Sequence, residues 1–263
     1  MKKLLSKKIF YFLGILFLLG IWFLISSILD KNSMVFPNPF VTIKRMVELL
    51  KEKATYKYLG FSFIRLLIGF ALSFLVAFLL GMIVNDNDRL YNFFKPVITF
   101  LKSAPTATFV FIFIILISAK NAPILVVFTV TMPILYESII SALRNTSKDI
   151  IAASKVDGAG KLKQLFLIRI PLGIPFITLG LVSTFGMAFK IEIMSEIITG
   201  FTNGGIGSMI HNSQLINPTE LTDMFAYSLM AIIVVLLVDF LTSLIKKNNR
   251  PIKKHRSGYN PSN

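Results

Sequence analysis

Apolar residues in this sequence fall in long unbroken runs rather than at a helical or strand period. Six runs reach the roughly 20 residues that a helix needs to cross a bilayer core: Ile9–Leu29, Phe61–Val84, Val97–Ser118, Ala122–Leu143, Leu172–Thr199 and Met224–Ile245. They predict an all-α, polytopic membrane protein of about six transmembrane helices. Lys102 and Pro105 interrupt the third run, which is cleanly apolar only from Thr106; rejecting it leaves five spans. The first run follows Lys2, Lys3, Lys7 and Lys8, as in a secretory leader, but its 21 residues exceed the usual 7–15 or so. Ser26-Ser27-Ile28-Leu29 offers no small-x-small cleavage site. The run therefore reads as a retained first helix, with a cleaved leader as the alternative.

Composition supports the same class. Of 263 residues 54% are hydrophobic and 16% charged, which argues against an ordinary soluble enzyme. The 28 Lys+Arg against 13 Asp+Glu give a net charge of +15, and such basicity alone would suggest nucleic acid. The placement of the cations points elsewhere. With the N-terminus inside, 18 fall in inner segments, seven in outer ones and three (Arg65, Lys102, Lys190) within spans, so both termini are expected to be cytoplasmic. The cations then orient helices and meet anionic lipid, and no nucleic-acid partner is expected. The exception is the first outer loop, which carries Lys31, Lys44, Arg45, Lys51, Lys53 and Lys57. Val41–Lys53 mixes these charges with apolar positions and predicts a helix lying in the interface; inner-leaflet placement would need a different number of crossings. The absence of Cys excludes disulfides, thiolate metal sites, a catalytic thiol and a lipid-modified Cys.

One polar segment stands out, Arg144 to Pro171. Thr146 is placed to cap a helix with Asp149 three residues on, and that helix stops at Asp157-Gly158, where glycine permits a positive φ. A second helix is expected from near Gly160 to just before Pro171, with Leu162, Leu165, Phe166 and Ile168 on its apolar side. Such a hairpin, held by the spans on either side, suits docking into a groove on a soluble partner. A plain solvated loop is the alternative, disfavoured by the helix signals. Gly158-Ala159-Gly160-Lys161 is not a P-loop, because the motif needs Gly at the place of Lys155 and Ser or Thr at that of Leu162.

The segment resembles the EAA loop of ABC importer permeases, whose pattern is Glu-Ala-Ala, three residues, Gly, nine residues, Ile, one residue, Leu, Pro. Aligned on Gly158, the chain has Ala152-Ala153-Ser154 at the start and Ile168, Ile170 and Pro171 at the end. The turn glycine, the isoleucine and the proline are kept. Ala152 replaces the glutamate and Ser154 the second alanine; a lost contact to the ATPase falls to Asp149 or Lys155, one turn away. Phe36-Pro-Asn-Pro39, Arg65-Leu-Leu-Ile-Gly-Phe-Ala-Leu72, Lys95-Pro96 through Pro105, Pro171-x-x-x-Pro175 and Glu196 leading to Gly204-Gly-Ile-Gly207 extend the resemblance to the nitrate/sulfonate/taurine branch over most of the chain. The resemblance implies a type I ABC importer permease fold over one domain, 1–263, with a coupling segment at 144–171 and a basic cytoplasmic tail at 246–263. It implies a bacterial inner (plasma) membrane location, a homodimer of permeases, a cytoplasmic ABC ATPase dimer that binds the ATP, and an extracellular solute-binding protein. It places ATPase coupling on Ala152, Ala153, Ser154, Gly158, Ala159, Ile168 and Pro171, and no cofactor or catalytic residue in this chain. Substrates of the branch are small: sulfonates, taurine, nitrate, vitamin precursors.

Ionisable groups at membrane depth need a reason, among them Arg65, Glu137, Lys190, Glu192, Glu196 and Asp239. Glu192 and Glu196, four apart, share a helix face, whereas Lys190 lies well round from Glu192. A cross-helix partner such as Arg65 suits one of the carboxylates. Lys190, Glu192 and Glu196 are the candidate lining of a translocation path, against a buried structural ion pair as the rival reading. Arg65, Glu137 and Asp239 lie within about two turns of span ends, where a charged head reaches water or serves structure. Pro105, Pro133, Pro175, Gly180 and Gly186 weaken regular helix in spans 3 to 5 and mark them as the moving core. The alternative to an ATP-driven importer is an ion-coupled secondary transporter using Glu192, Glu196 and Lys190. An embedded enzyme is a third reading; His211 and His255 have no acidic or His neighbours in sequence for a metal site, and His211 reads as an exposed loop side chain.

Overall fold

A computed structural model describes residues 2–29, 36–200 and 204–248. The apolar runs form helices α1 (Lys2–Leu29), α3 (Lys53–Val84), α6 (Ala122–Arg144), α9 (Ile170–Thr199) and α11 (Thr222–Asn248). Shorter elements join them: α2 (Pro39–Leu49), α4 (Asp88–Ser103), α5 (Thr106–Leu116), α7 (Lys148–Val156), α8 (Lys161–Gln164) and α10 (Ile206–Ile216). No strand occurs among the described residues.

Small residues set the packing. Gly69, Ser73, Ala77 and Gly81 recur every four positions on α3 and are buried against α6. A Cβ at Gly69 would meet Ile124 O at 2.6 Å and one at Gly81 would meet Ile139 at 2.8 Å. Thr131 donates to Ser73 Oγ at 2.7 Å, and Ser73 donates to Gly69 O and Phe128 O. In hydrocarbon, close backbone approach and such bonds hold helices together because apolar burial adds no drive. α9 packs on the other side of α6, where Gly173 faces Ala142 and Gly180 faces Ser138.

These contacts fix the number of crossings. Gly69 is level with Val127 and Gly81 with Ile139, so α3 and α6 run parallel. The chain must therefore cross back between Val84 and Ala122. The third apolar run is consequently a span, although not the single helix expected: α4 and α5 meet at 96°. Ala104, extended at ψ 136 ahead of Pro105, makes the break, as the residue before proline is driven out of the helical region. Pairings of α9 with α6 and α11 are antiparallel by the same reading.

The two ends of the bundle differ. At one, the 85–88 turn receives both flanks of the polar segment: Arg144 donates to Asn85 O and pairs with Asp88, while Arg169 pairs with Asp86 at 2.9 Å and donates to Asn85 Oδ1. At the other end lie α2, α10 and the start of α11. α2, capped by Asn38 accepting from Phe40 N, holds α11 through Arg45 and Asp223. This hydrogen-bonded carboxylate pushes the Arg45 guanidinium further above its ordinary value and, with Glu48, balances part of the basic first loop. α2 thus sits at the end of the bundle opposite α7 and α8. α1 is tied near its own C-terminal end, by Trp22 Nε1 to Pro37 O and Ser26 Oγ to Phe36 O.

Candidate functional site

The polar segment folds as a hairpin, with three departures from expectation. Ser147, not Thr146, is the N-cap of α7, and Thr146 donates instead to Leu143 O at the end of α6. The turn is as expected: Gly158 has φ +76, and Asp157, Gly158 and Ala159 return bonds to Ala153, Lys155 and Ser154 carbonyls. The second arm, however, does not stop before Pro171. α8 passes through a π-helical turn at Leu165–Arg169 straight into α9. Pro171 closely follows the π turn, and the widened turn takes up the ring and the missing N–H that would otherwise break a helix interior. The expected apolar side of this arm is also mostly uncovered: Leu165 is buried, but Leu162 and Phe166 are exposed, as are Ile150 and Val156 on α7. Ala152 borders a cleft with Arg144, Lys155, Arg169 and Asp86. Ala153 is exposed, Ser154 is buried and donates to Ile151 O, and Ile168 lies in the π turn.

The charges at membrane depth separate into two sites. Glu196 is fully buried and accepts from Arg65 Nη1 and Ser62 Oγ, each at 2.7 Å, and from Gly207 N at 3.1 Å. Ser62 Oγ in turn accepts from Ile206 N, and Arg65 donates to Gly204 O. The cross-helix partner expected for a span-5 carboxylate is therefore Arg65 to Glu196. Arg65 is buried in this cluster and does not reach for water. The cluster ties α3 to α9 and pins the Gly204–Gly207 turn that starts α10. Ser62 is a member that sequence reasoning missed, since a lone serine in an apolar run carries no signal.

Gly205 shows how tight this turn is. Its φ of +101 suits only glycine, and a Cβ there would overlap the Glu196 carboxylate. Gly205→Ala should displace Glu196 from Arg65 and lower the melting temperature of the detergent-solubilised protein by about 5 °C or more, from about 2 kcal/mol of strain and lost contact. A melting temperature within 1 °C or so of the parent would show that the turn yields freely.

Glu192 is buried one turn away, and neither carboxylate oxygen has a hydrogen-bond partner among the described residues. Lys190 lies on another face and is not brought together with Glu192 and Glu196. It pairs with Asp239 of α11 at 2.8 Å, both side chains part-exposed. Gly186 makes room for this, since a Cβ there would meet the Asp239 carboxylate. Glu137 pairs with Lys102 of α4. His211 is no loop residue: it sits half-buried on α10 with its ring over Gly200. No cluster of three metal-ligating side chains occurs among the described residues. His255 and residues 249–263 of the basic tail lie outside them.

Residues 69–251 match the family described as the binding-protein-dependent transport system inner membrane component. The chain belongs to this family. It is a membrane permease component of an ABC importer, a subunit that is not itself an enzyme. A probable ABC transporter permease protein of Brucella melitensis is 22% identical to it over 75% of this chain and 78% of that one. The nitrate import permease protein NrtB of Synechocystis is 24% identical over 87% of this chain and 86% of its own. Among solved structures, an inward-facing MetNI methionine ABC transporter matches with a TM-score of 0.59 and 18% identity, covering 74% of the permease and 94% of that chain. At that identity the likeness concerns the fold. Membership implies an ATPase and a solute-binding protein as partners of the permease.

Proposed function

We propose that this permease moves a small solute inward by alternating access, as a homodimer with both termini in the cytoplasm, docking two ATPases through the α7–α8 hairpin. The observation that carries this reading is the hairpin's surface. Ile150, Val156 and Leu162 are exposed, Val156 by 88%, on a polar segment outside the apolar spans, where uncovered apolar side chains mark a partner surface. The hairpin is continuous with α6 and α9, so its movement is transmitted to both. ATP must favour the outward state over the inward one for the cycle to turn. Within the hairpin, Ala152, Ala153, Ser154, Gly158 and Ala159 are the assigned docking positions, with Ile168 and Pro171 joining it to α9. Binding-protein contact falls to the α2 and α10 end. The branch supplies candidates for the solute: nitrate, sulfonates, taurine and vitamin precursors.

An ion-coupled carrier is not favoured, because Glu196 is engaged by three donors and Lys190 stands on a different face. Orientation is tested with the chain's lack of cysteine. In intact cells, a charged thiol reagent should label Lys51→Cys and spare Lys155→Cys, which should react only after permeabilisation. Labelling of Lys155→Cys from outside would reverse the proposed orientation and remove the hairpin from the ATPase.

A further inference from the structure

Helix α4 has three faces. Leu90, Phe94, Ile98 and Leu101 form the one packed toward α6. Asn92, Lys95, Thr99 and Lys102, spaced by three, four and three residues, form an exposed polar face. Phe93, Val97 and Phe100, spaced by four and three, form the last, which is apolar yet uncovered: they are 66%, 47% and 69% exposed. A polar strip above two apolar sides is the pattern of a helix lying in a membrane interface.

The inclination of α4 fits that position. Asp88 at its start pairs with Arg144 of α6, and Lys102 near its end pairs with Glu137 of the same helix. From 88 to 102 the chain of α4 runs about 21 Å, whereas from 144 to 137 that of α6 runs only about 10 Å, so α4 is inclined by about 60° to the span. It starts at the hairpin end of the bundle and descends about 10 Å, the depth to which interfacial helices sink. The 96° bend into α5 then begins the steeper part of the crossing.

What covers the exposed aromatic face follows from the charges beside it. Asp88 and Lys102 are balanced by Arg144 and Glu137, but Arg89 and Lys95 are exposed and have no acidic partner among the described residues. Glu137 borders a cavity of about 90 Å³ together with Lys95, yet is already taken by Lys102. α4 thus presents two uncompensated cations next to bare phenylalanines. A second copy of a chain with net charge +15 would bring like charge to them, whereas anionic headgroups bring the opposite. The outer face of α3, which exposes Leu67, Leu75 and Leu79 without a charge among them, suits acyl chains alone.

We propose that α4 is an interfacial helix that binds anionic phospholipid of the inner leaflet, Phe93, Val97 and Phe100 entering the acyl chains while Arg89 and Lys95 hold the headgroups. The site adjoins the 85–88 turn that receives Arg144 and Arg169, so bound headgroups lie at the base of the hairpin. Only the choice of leaflet rests on the orientation proposed above. A reversed orientation, read by the thiol labelling, would move the site to the outer leaflet and leave the lipid measurement below unchanged, so the two fail separately.

The test is quenching by lipids with brominated acyl chains, on the assembled transporter in vesicles. Trp22 is the only tryptophan of the permease, so Trp22→Phe serves as the parent whose signal is subtracted. Phe93→Trp, Phe100→Trp and, as the reference for acyl-chain contact, Leu75→Trp are added to it singly, with Val97→Trp standing in for a variant that fails to assemble. Emission from the α4 positions should fall as far as that of Leu75→Trp in brominated lipid. In mixtures with phosphatidylcholine, brominated phosphatidylglycerol should compete for the Phe93→Trp site about fivefold better than brominated phosphatidylcholine, the worth of one cation near a headgroup surface. Leu75→Trp should show no such preference, and adding Arg89→Gln with Lys95→Gln should abolish it at Phe93→Trp. Unquenched emission at the α4 positions would mean that protein, a second copy or the ATPase, covers this face, and the proposal would fall. Quenching without preference for the anionic lipid would remove the headgroup site, and a preference that survives both Gln substitutions would take it away from Arg89 and Lys95.

Discussion

Removing either partner of the Arg65–Glu196 pair should destabilise the permease more than any other single truncation in the bundle. Glu196→Ala leaves the Arg65 guanidinium, Ser62 Oγ and Gly207 N without the carboxylate that they share. Arg65→Ala leaves the carboxylate buried with only two neutral donors. Breaking one side of a buried ion pair costs about 3–5 kcal/mol, which corresponds to a fall of about 10 °C in the melting temperature of the solubilised protein. Glu196→Gln keeps the shape and part of the bonding and should lie between. Replacing both residues by Leu removes the stranded charge, so the double variant should be less damaged than either single Leu variant, with a coupling of about 3 kcal/mol or more in the double-mutant cycle. Additive effects of the two substitutions would show that the pair is not the tie between α3 and the Gly204–Gly207 turn.

That tie illustrates what the sequence reveals and what it does not. The expense of a charge at membrane depth flags Arg65 and Glu196, and arithmetic on helix faces sends Glu196 to look for a partner on another helix. It does not say that Ser62 joins them or that the ring closes on α10, because a serine and two glycines look the same whether buried or exposed. Asp239 is the converse case. Near a span end it reads as a side chain that reaches water or serves structure, and the sequence does not show that Gly186 opens a slot that seats it beside Lys190. Glycine as an absence of side chain gives no hint of which residue fills the space.

The spans were legible because lipid demands length and apolarity, and the observed helices α6, α9 and α11 begin and end within two or three residues of the apolar runs. α3 begins eight residues earlier, at Lys53, since a helix does not stop where its apolar part does. The 96° break between α4 and α5 was half visible: Pro105 announces a boundary, but a count of apolar residues has no direction. Direction came from Gly69 and Gly81 against α6, contacts between segments some 58 residues apart. The π turn at Leu165–Arg169 left no sequence signal at all, and Pro171 read alone pointed to a stop that the structure does not make.

The second large effect is expected in the hairpin, where two glycines two residues apart form an internal control. A Cβ at either Gly158 or Gly160 meets nothing within 4 Å, so neither position is crowded. They differ in backbone: Gly158 is left-handed at φ +76, while Gly160 is extended at φ −67, ψ 167, a conformation open to any residue. Gly158→Val places a β-branched side chain in a region that L-residues enter at a cost of about 1–2 kcal/mol, with χ1 crowding added. The turn's return bonds from Gly158 N to Lys155 O and Ala159 N to Ser154 O would break before that strain is accepted, and α7 would swing relative to α8. Since α8 runs without a break into α9, a displaced α7 separates the exposed Val156 and Ile150 surface from the span it is proposed to drive. Membrane insertion, which depends on the spans, should stay normal. Solute-stimulated ATP hydrolysis in the assembled transporter should fall at least about tenfold in Gly158→Val, the size of effect expected from roughly 1.4 kcal/mol or more of lost docking, and should stay within about twofold of the parent in Gly160→Val. Equal losses in both variants would mean that the hairpin tolerates no added bulk, and the argument from backbone conformation would fail. Full coupling in Gly158→Val would mean that the ATPase grips another part of the permease.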